Sequence, residues 1–215
     1  MTEHRPCRRQ YSVLCCILLV LLSMVPARAD EWADQLRVPA VQQTMLSLAR
    51  RAMTQYLQHG TMLRAPAHLP PILRRRAAVF VTVENRWKIA PRGCRGTLQP
   101  STPTLADEII RNSIAACSRD RRVAPLRLAE LPQCLISLTV VLRVQPLSSI
   151  AGHDPDNNGL IAQSGSRIGI VLPYEGRDAA VQLKWAKRKA GLADDAPAQL
   201  SELIAVRFRE KVLKK

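Results

Sequence analysis

In this chain of 215 residues, the thiol of Cys94 is the group best placed to do chemistry. It lies in Pro91-Arg92-Gly93-Cys94-Arg95-Gly96-Thr97-Leu98. Gly93 and Gly96 would let the backbone turn tightly and approach a ligand closely. Arg92 and Arg95 flank the sulfur, and a guanidinium about 6 Å away at an effective dielectric near 20 is worth about 3 kcal/mol. That would lower the thiol pKa by about two units and make Cys94 a reactive, thiolate-rich cysteine at neutral pH. The opposing reading is a buried cysteine in a structural turn, with both arginines facing water. A nucleophile also needs a base. Glu84 is the nearest in sequence, and His59, His68 and His153 lie far away along the chain.

Asp120 and Arg122 read as a pair that ties down a loop after a helix, with substrate contact as the alternative. The run His153 to Gly159 places Asp154, Asp156, Asn158 and Gly159 as in the first half of a calcium loop. Its twelfth place is Gly165, so the bidentate carboxylate is missing, and an Asn-Gly turn accounts for the same residues. No cofactor or metal is expected. The chain has no clustered zinc spacing, no Walker or dinucleotide glycine pattern and no G-x-S-x-G elbow.

The elements that must position Cys94 follow from periodicity. Val41, Met45, Leu48, Ala49, Ala52 and Tyr56 mark a helix that starts near Pro39 and stops at Gly60. Residues 61–71 read as a surface connection. Ala77 to Val83 reads as a strand, with Arg95 to Leu98 as its partner across the Trp87 to Gly93 segment. Leu105 to Cys117 is a second helix, and Leu135 to Val144 is the longest strand. Gly159 to Gln163 and Ile168 to Leu172 form a hairpin around Gly165. Ala179 to Ala190 is a basic helix ending at Gly191, and Ala198 to Phe208 a helix or helix–strand segment. This order predicts an α+β fold, a largely antiparallel β-sheet flanked by helices.

The N-terminus has a different character. Arg5, Arg8 and Arg9 precede the apolar run Val13 to Val25; Pro26 follows, and Ala27-Arg28-Ala29 is an A-x-A cleavage pattern before Asp30. Residues 1–29 therefore read as a signal peptide, cut between Ala29 and Asp30, on a periplasmic or secreted protein. The general route suits the Leu-rich run, and Arg8-Arg9 keeps twin-arginine export open. Loss of this segment, with its four Arg and one Glu, leaves 186 residues and lowers the net charge from +15 to +12. The organisation expected is a lead-in over 30–39, one domain over 40–210 and a basic tail over 211–215. The mature chain is a basic protein, but its cationic clusters lack interleaved aromatics. Weak, salt-sensitive polyanion binding is the expectation. Three cysteines remain, an odd number for an oxidising compartment.

Several segments, in order, resemble the AMMECR domain family, a functionally uncharacterised group. Pro91 to Leu98 is similar to its L-R-G-C-I-G-T signature. Ser47 to Ala52 resembles its opening helix, Val79 to Thr82 the strand before the signature, and Asn112 to Leu126 its A-A-x-x-D-x-R-F-x-P-L segment. Glu130-Leu131-Pro132, Gly159-Leu160-Ile161, Arg167-Ile168-Gly169 and Lys189 to Leu192 continue the likeness. Arg95, Ser118, Arg121, Val123 and Ala124 depart from it. The resemblance implies an AMMECR-like single domain with its site at the signature: Cys94 as candidate catalytic residue, with Arg92, Gly93, Arg95, Gly96, Glu84, Asp120 and Arg122 as binding residues. Family members travel with Memo-type and radical-SAM proteins, but an oxygen-sensitive iron–sulfur enzyme would not share a compartment with an exported copy. Two functions stay open. One is binding or modifying a small metabolite at a cleft near Cys94. The other is a non-catalytic module that binds a protein partner through its basic surface.

Overall fold

The computed structural model describes residues 25–86, 91–176 and 178–211, with side chains from residue 31 onward. Residues 1–24, which hold most of the expected signal peptide, residues 87–90 of the inter-strand segment and most of the basic tail lie outside them, while residues 25–29 open the first helix. The first helix, α1 (Val25–Arg37), packs through Trp32, Ala33 and Leu36, which repeat at helical spacing and are all buried. Helix α2 (Pro39–His59) begins with its proline in the first turn. It ends on Gly60 in the left-handed region (φ 69°), whose N–H donates to Tyr56 O at 2.8 Å. Its buried face carries Met45, Leu48, Ala49, Ala52 and Met53. The connection expected over residues 61–71 runs without helix or strand to residue 70, where a short helix, α3 (Pro71–Arg74), begins and inserts Ile72 and Leu73 into the core.

Six strands form one antiparallel sheet. They are β1 (Val79–Asn85), β2 (Pro91–Gly96), β3 (Cys134–Leu147), β4 (Asn158–Ser164), β5 (Arg167–Val171) and β6 (Gln199–Arg209), in the spatial order β2-β1-β3-β6-β4-β5. Helix α4 (Leu105–Ser118) lies between β2 and β3 in sequence, and α5 (Ala179–Lys189) between β5 and β6. The expected α+β fold with an antiparallel sheet is therefore present. Alternation along the strands separates two faces. Val79, Val81, Val83, Ile136, Leu138, Val140, Val206 and Phe208 join the main core under α1 to α4. Phe80, Val141, Ile161, Leu172 and Leu203 face the other way and form a second cluster, which also takes in Cys94 and Ile170. Since β2 and β5 stand at opposite edges, their meeting in that cluster means that the sheet curls.

Two expectations need correction. Residues 199–209 form a strand throughout, because the period along Leu200, Glu202, Ile204, Val206 and Phe208 is two, and β6 is paired on both sides, by β3 and by β4. The partner of β1 is residues 91–96, not 95–98, with Thr82 opposite Cys94 and Phe80 opposite Gly96. The signature is thus itself a strand, with no tight turn at its glycines.

Candidate functional site

Register places a row of polar groups across the concave face. Cys94 on β2 lies opposite Thr82 on β1, Thr82 opposite Ser137 on β3, and Ser137 opposite Arg209 on β6. All four side chains share one face, since each pair is directly cross-strand. The next row holds Gly96, Phe80, Thr139 and Arg207. Glu84, two residues beyond Thr82, accepts from Ser137 Oγ at 3.0 Å, from Arg207 Nη2 at 2.8 Å and from Arg209 Nη1 at 3.4 Å. The Arg207 guanidinium lies 5.5 Å from the ring centre of Tyr174. Tyr174 is exposed and has a positive φ of 65°, a conformation that costs a side-chain-bearing residue free energy. Thiol, hydroxyls, carboxylate, guanidinia and a strained aromatic therefore border one patch.

The environment of Cys94 is the reverse of an activated thiolate. Burial pushes its pKa up, and the Glu175 carboxylate adds to the push. The Thr82 hydroxyl, which donates to Sγ at 3.2 Å, and the Arg122 and Lys189 cations oppose it without overcoming it. The flanking arginines face elsewhere. Arg92 Nη2 binds Glu130 Oε1 at 2.9 Å, and Arg95 Nη2 donates to Arg119 O at 2.6 Å. Alternation along β2 turns Arg95 to the face opposite Cys94, and Arg92 falls at the register shift between the Val83–Gly93 and Glu84–Pro91 pairs. Glu84 shares the concave face with Cys94, yet no hydrogen bond joins the two, and its oxygens are committed to Ser137, Arg207 and Arg209.

The rest of the signature serves packing. A Cβ on Gly93 would overlap the Ala116 carbonyl oxygen at the end of α4, and one on Gly96 would stand 2.5 Å from the Phe80 ring. Gly169 on the opposite edge strand plays the same part under α5, beneath Ala186. The backbone approaches protein here, not a ligand. Asp120 accepts the Cys94 N–H at 2.9 Å and both a side-chain and a backbone donor from Arg122. Arg122 holds its carboxyl far below the usual carboxylate range. Asp120 and Arg122 thus pin the loop after α4 to β2, and Arg122 also lies close enough to Cys94 to act on its charge. Thr97 donates to Glu108 at 3.2 Å. Burial pushes the Glu108 carboxyl up, but hydrogen bonds from Thr102, Ser101 and Thr97 more than offset it and hold the pKa below its ordinary value.

Cys117 and Cys134 are buried, all three described cysteines are free, and burial raises Cys117 to about 11. The calcium-like run is a turn into β4. Asp154 Oδ1 accepts from the backbone of Asp156 and Asn157, and Asn158 Nδ2 donates to Glu202 Oε1 at 3.0 Å. The Asp154 and Asn158 side chains are thus engaged within the protein, and strands stand where an EF-hand has helices. Two surface clefts lie elsewhere, and neither is lined by Cys94.

The AMMECR1 family profile matches residues 46–213. The chain belongs to the AMMECR1 family. A protein of Thermofilum pendens is 34% identical over 170 residues, covering 71% of this chain and 79% of that protein. One from Thermotoga maritima is 35% identical over 149 residues, covering 68% and 85%. The crystal structure of an uncharacterised protein from Pyrococcus horikoshii superposes with a TM-score of 0.70 at 28% identity, over 78% of this chain and 90% of that one. In this AMMECR1 domain the signature was legible in the sequence, but Thr82, Ser137, Arg207, Arg209 and Tyr174 were missed. The spacing of Ser137 and Thr139, two apart inside an otherwise apolar strand, was the one signal available for a polar face.

Proposed function

We propose that this AMMECR1 domain is exported and binds a small polar metabolite on the concave face beside Cys94, without a covalent step at the thiol. The observation that carries this reading is the Cys94–Thr82–Ser137–Arg209 row, in which the sulfur is held as a thiol. Cys94, half-buried, offers a short-range contact at one end, while the buried Thr82 hydroxyl holds its sulfur in place. Arg207 and Arg209 offer paired donors at the other, held in place by Glu84. Tyr174 provides an apolar ring at the rim. A protonated thiol with no base in contact is a poor nucleophile, so binding is preferred over modification.

Native protein treated with iodoacetamide at pH 7 should alkylate Cys94 more slowly than a free cysteine peptide. In a thermal-shift screen of metabolites, a ligand that stabilises the wild type should still do so in Cys94→Ser. Arg207→Gln should weaken it about tenfold or more, the loss of a charge-assisted contact. Rapid alkylation that also abolishes ligand binding would return Cys94 to the role of nucleophile.

Export rests on the residues before Asp30. The secreted product should begin at Asp30 on N-terminal sequencing. An intact Met1 in a membrane fraction would overturn cleavage.

A further inference from the structure

A cleft of about 500 Å³ lies at the opposite end of β1 and β3 from the Cys94 row. Its floor includes Ala78, Leu98 and Val141, which belong to the apolar cluster of the concave face. Ala78, just before β1, is four residues from Thr82, roughly 13 Å at strand rise, and Phe80 fills the space between. The rim carries Arg75, Arg76 and Arg143, while no carboxylate lines the cleft. Among the described residues none of the three arginines is ion-paired. Arg76 donates to Pro100 O and Arg143 to Gln145, and Arg75 stacks over Trp32 with its Cζ 4.8 Å from the ring centre. Stacking occupies the guanidinium face and leaves its N–H edge for an anion. Trp32 forms a wall; it is 8% exposed, and its Nε1–H has no acceptor among the described residues.

We propose that this cleft binds a small amphipathic anion, a phosphate or carboxylate head on a flat apolar body. The head meets Arg75, Arg76 and Arg143, and the body lies against Trp32 and the Leu98–Val141 floor. The volume suits a small ligand, since such sites run from about 300 to 1,000 Å³. Trp32 precedes the residues 46–213 matched by the family profile, so α1 adds this wall to the AMMECR1 domain. Cleavage before Asp30 would leave Trp32 in place. The same head chemistry occurs on soluble metabolites and on anionic phospholipids, and the test separates the two.

The exported chain is titrated calorimetrically with phenyl phosphate, with inorganic phosphate, and with phosphatidylglycerol vesicles. Phenyl phosphate should bind at least tenfold more tightly than inorganic phosphate. The double variant Arg75→Gln/Arg143→Gln should lose tenfold or more, whereas Arg119→Gln/Arg121→Gln, which removes the same charge elsewhere, should change affinity less than twofold. Vesicle binding lost in the first variant alone would support the same site with a lipid headgroup as source; no vesicle binding would support a soluble ligand. Three results would overturn the proposal: no phenyl phosphate binding at 5 mM (roughly the weakest binding of interest), equal affinity for inorganic phosphate, or equal loss in both double variants. Because none of these variants touches the Cys94 row, failure here leaves the concave-face reading standing, and the converse also holds.

Discussion

Gly93→Ala should rank with Gly169→Ala among the most damaging single methyl groups in this protein, costing about 3 kcal/mol or more. The added Cβ would overlap the Ala116 carbonyl oxygen, a backbone atom at the end of α4 that cannot swing away as a side chain could. Relief requires β2 and α4 to separate. That would also strain the Cys94 N–H bond to Asp120 and the Arg95 bond to Arg119 O. Overpacking usually costs about 1–3 kcal/mol, and backbone collisions lie at the upper end or beyond. Gly165→Ala is the control. Its φ is 60° but nothing lies within 4 Å of a Cβ there, so it should cost only about 1 kcal/mol of left-handed strain. Urea midpoints of the two variants decide the matter. A Gly93 variant no less stable than the Gly165 variant would mean that the two elements are not in contact as described.

Glu202→Ala should cost about 3–5 kcal/mol, because it strips the acceptor from several buried or half-buried donors at about 1–3 kcal/mol each. For a chain of this length that corresponds to a fall in Tm of roughly 10 °C. Glu202 Oε1 meets His153 Nδ1 at 2.8 Å and Asn158 Nδ2 at 3.0 Å, and its Oε2 accepts from Gln145 at 2.9 Å. The His153 side chain is fully buried, and its Nε2 faces the Gln182 oxygen at 2.8 Å. Gln182 in turn directs its amide N–H groups to Pro155 O and Asn158 O. This chain of bonds ties the loop before β4 and helix α5 to β6. Without the carboxylate, three donors lose their acceptor in a site where water enters poorly. Calorimetry on the variant measures the loss. A change under about 1 kcal/mol would mean that water replaces the carboxylate and that the network is dispensable.

Much of the secondary structure was legible because its causes are local. The spacing along α2, the glycine that ends it and the apolar run of β3 each lie within about a dozen neighbouring residues. The hairpin around Gly165 and the stripe of Leu105, Ile109, Ser113 and Ala116 on α4 belong to the same class, and all four of those helix residues are buried. Residues 199–209 were ambiguous because an apolar run interrupted by Glu202 and Arg207 fits either period until its neighbours on both sides are known. The ordered short motifs likewise carried the AMMECR1 membership, since order along a chain needs no third dimension.

The site is a different matter. By itself the sequence determined that a cysteine stands among glycines and arginines on an AMMECR1 signature, within an antiparallel α+β domain. Only the tertiary structure decided what those residues do. Arg92 and Arg95 are neighbours of Cys94 along the chain, yet they act on Glu130 and Arg119. The groups that set the state of its sulfur are Thr82, Arg122, Glu175 and Lys189, distant in sequence. The two glycines looked like turn formers, but they are the places where a helix end and an aromatic ring press on a strand. His153 looked like the edge of a metal loop until β6 brought Glu202 to it across 49 residues. A thiol's reactivity depends on burial and on charge within a few ångströms, and both are produced by packing that joins remote segments.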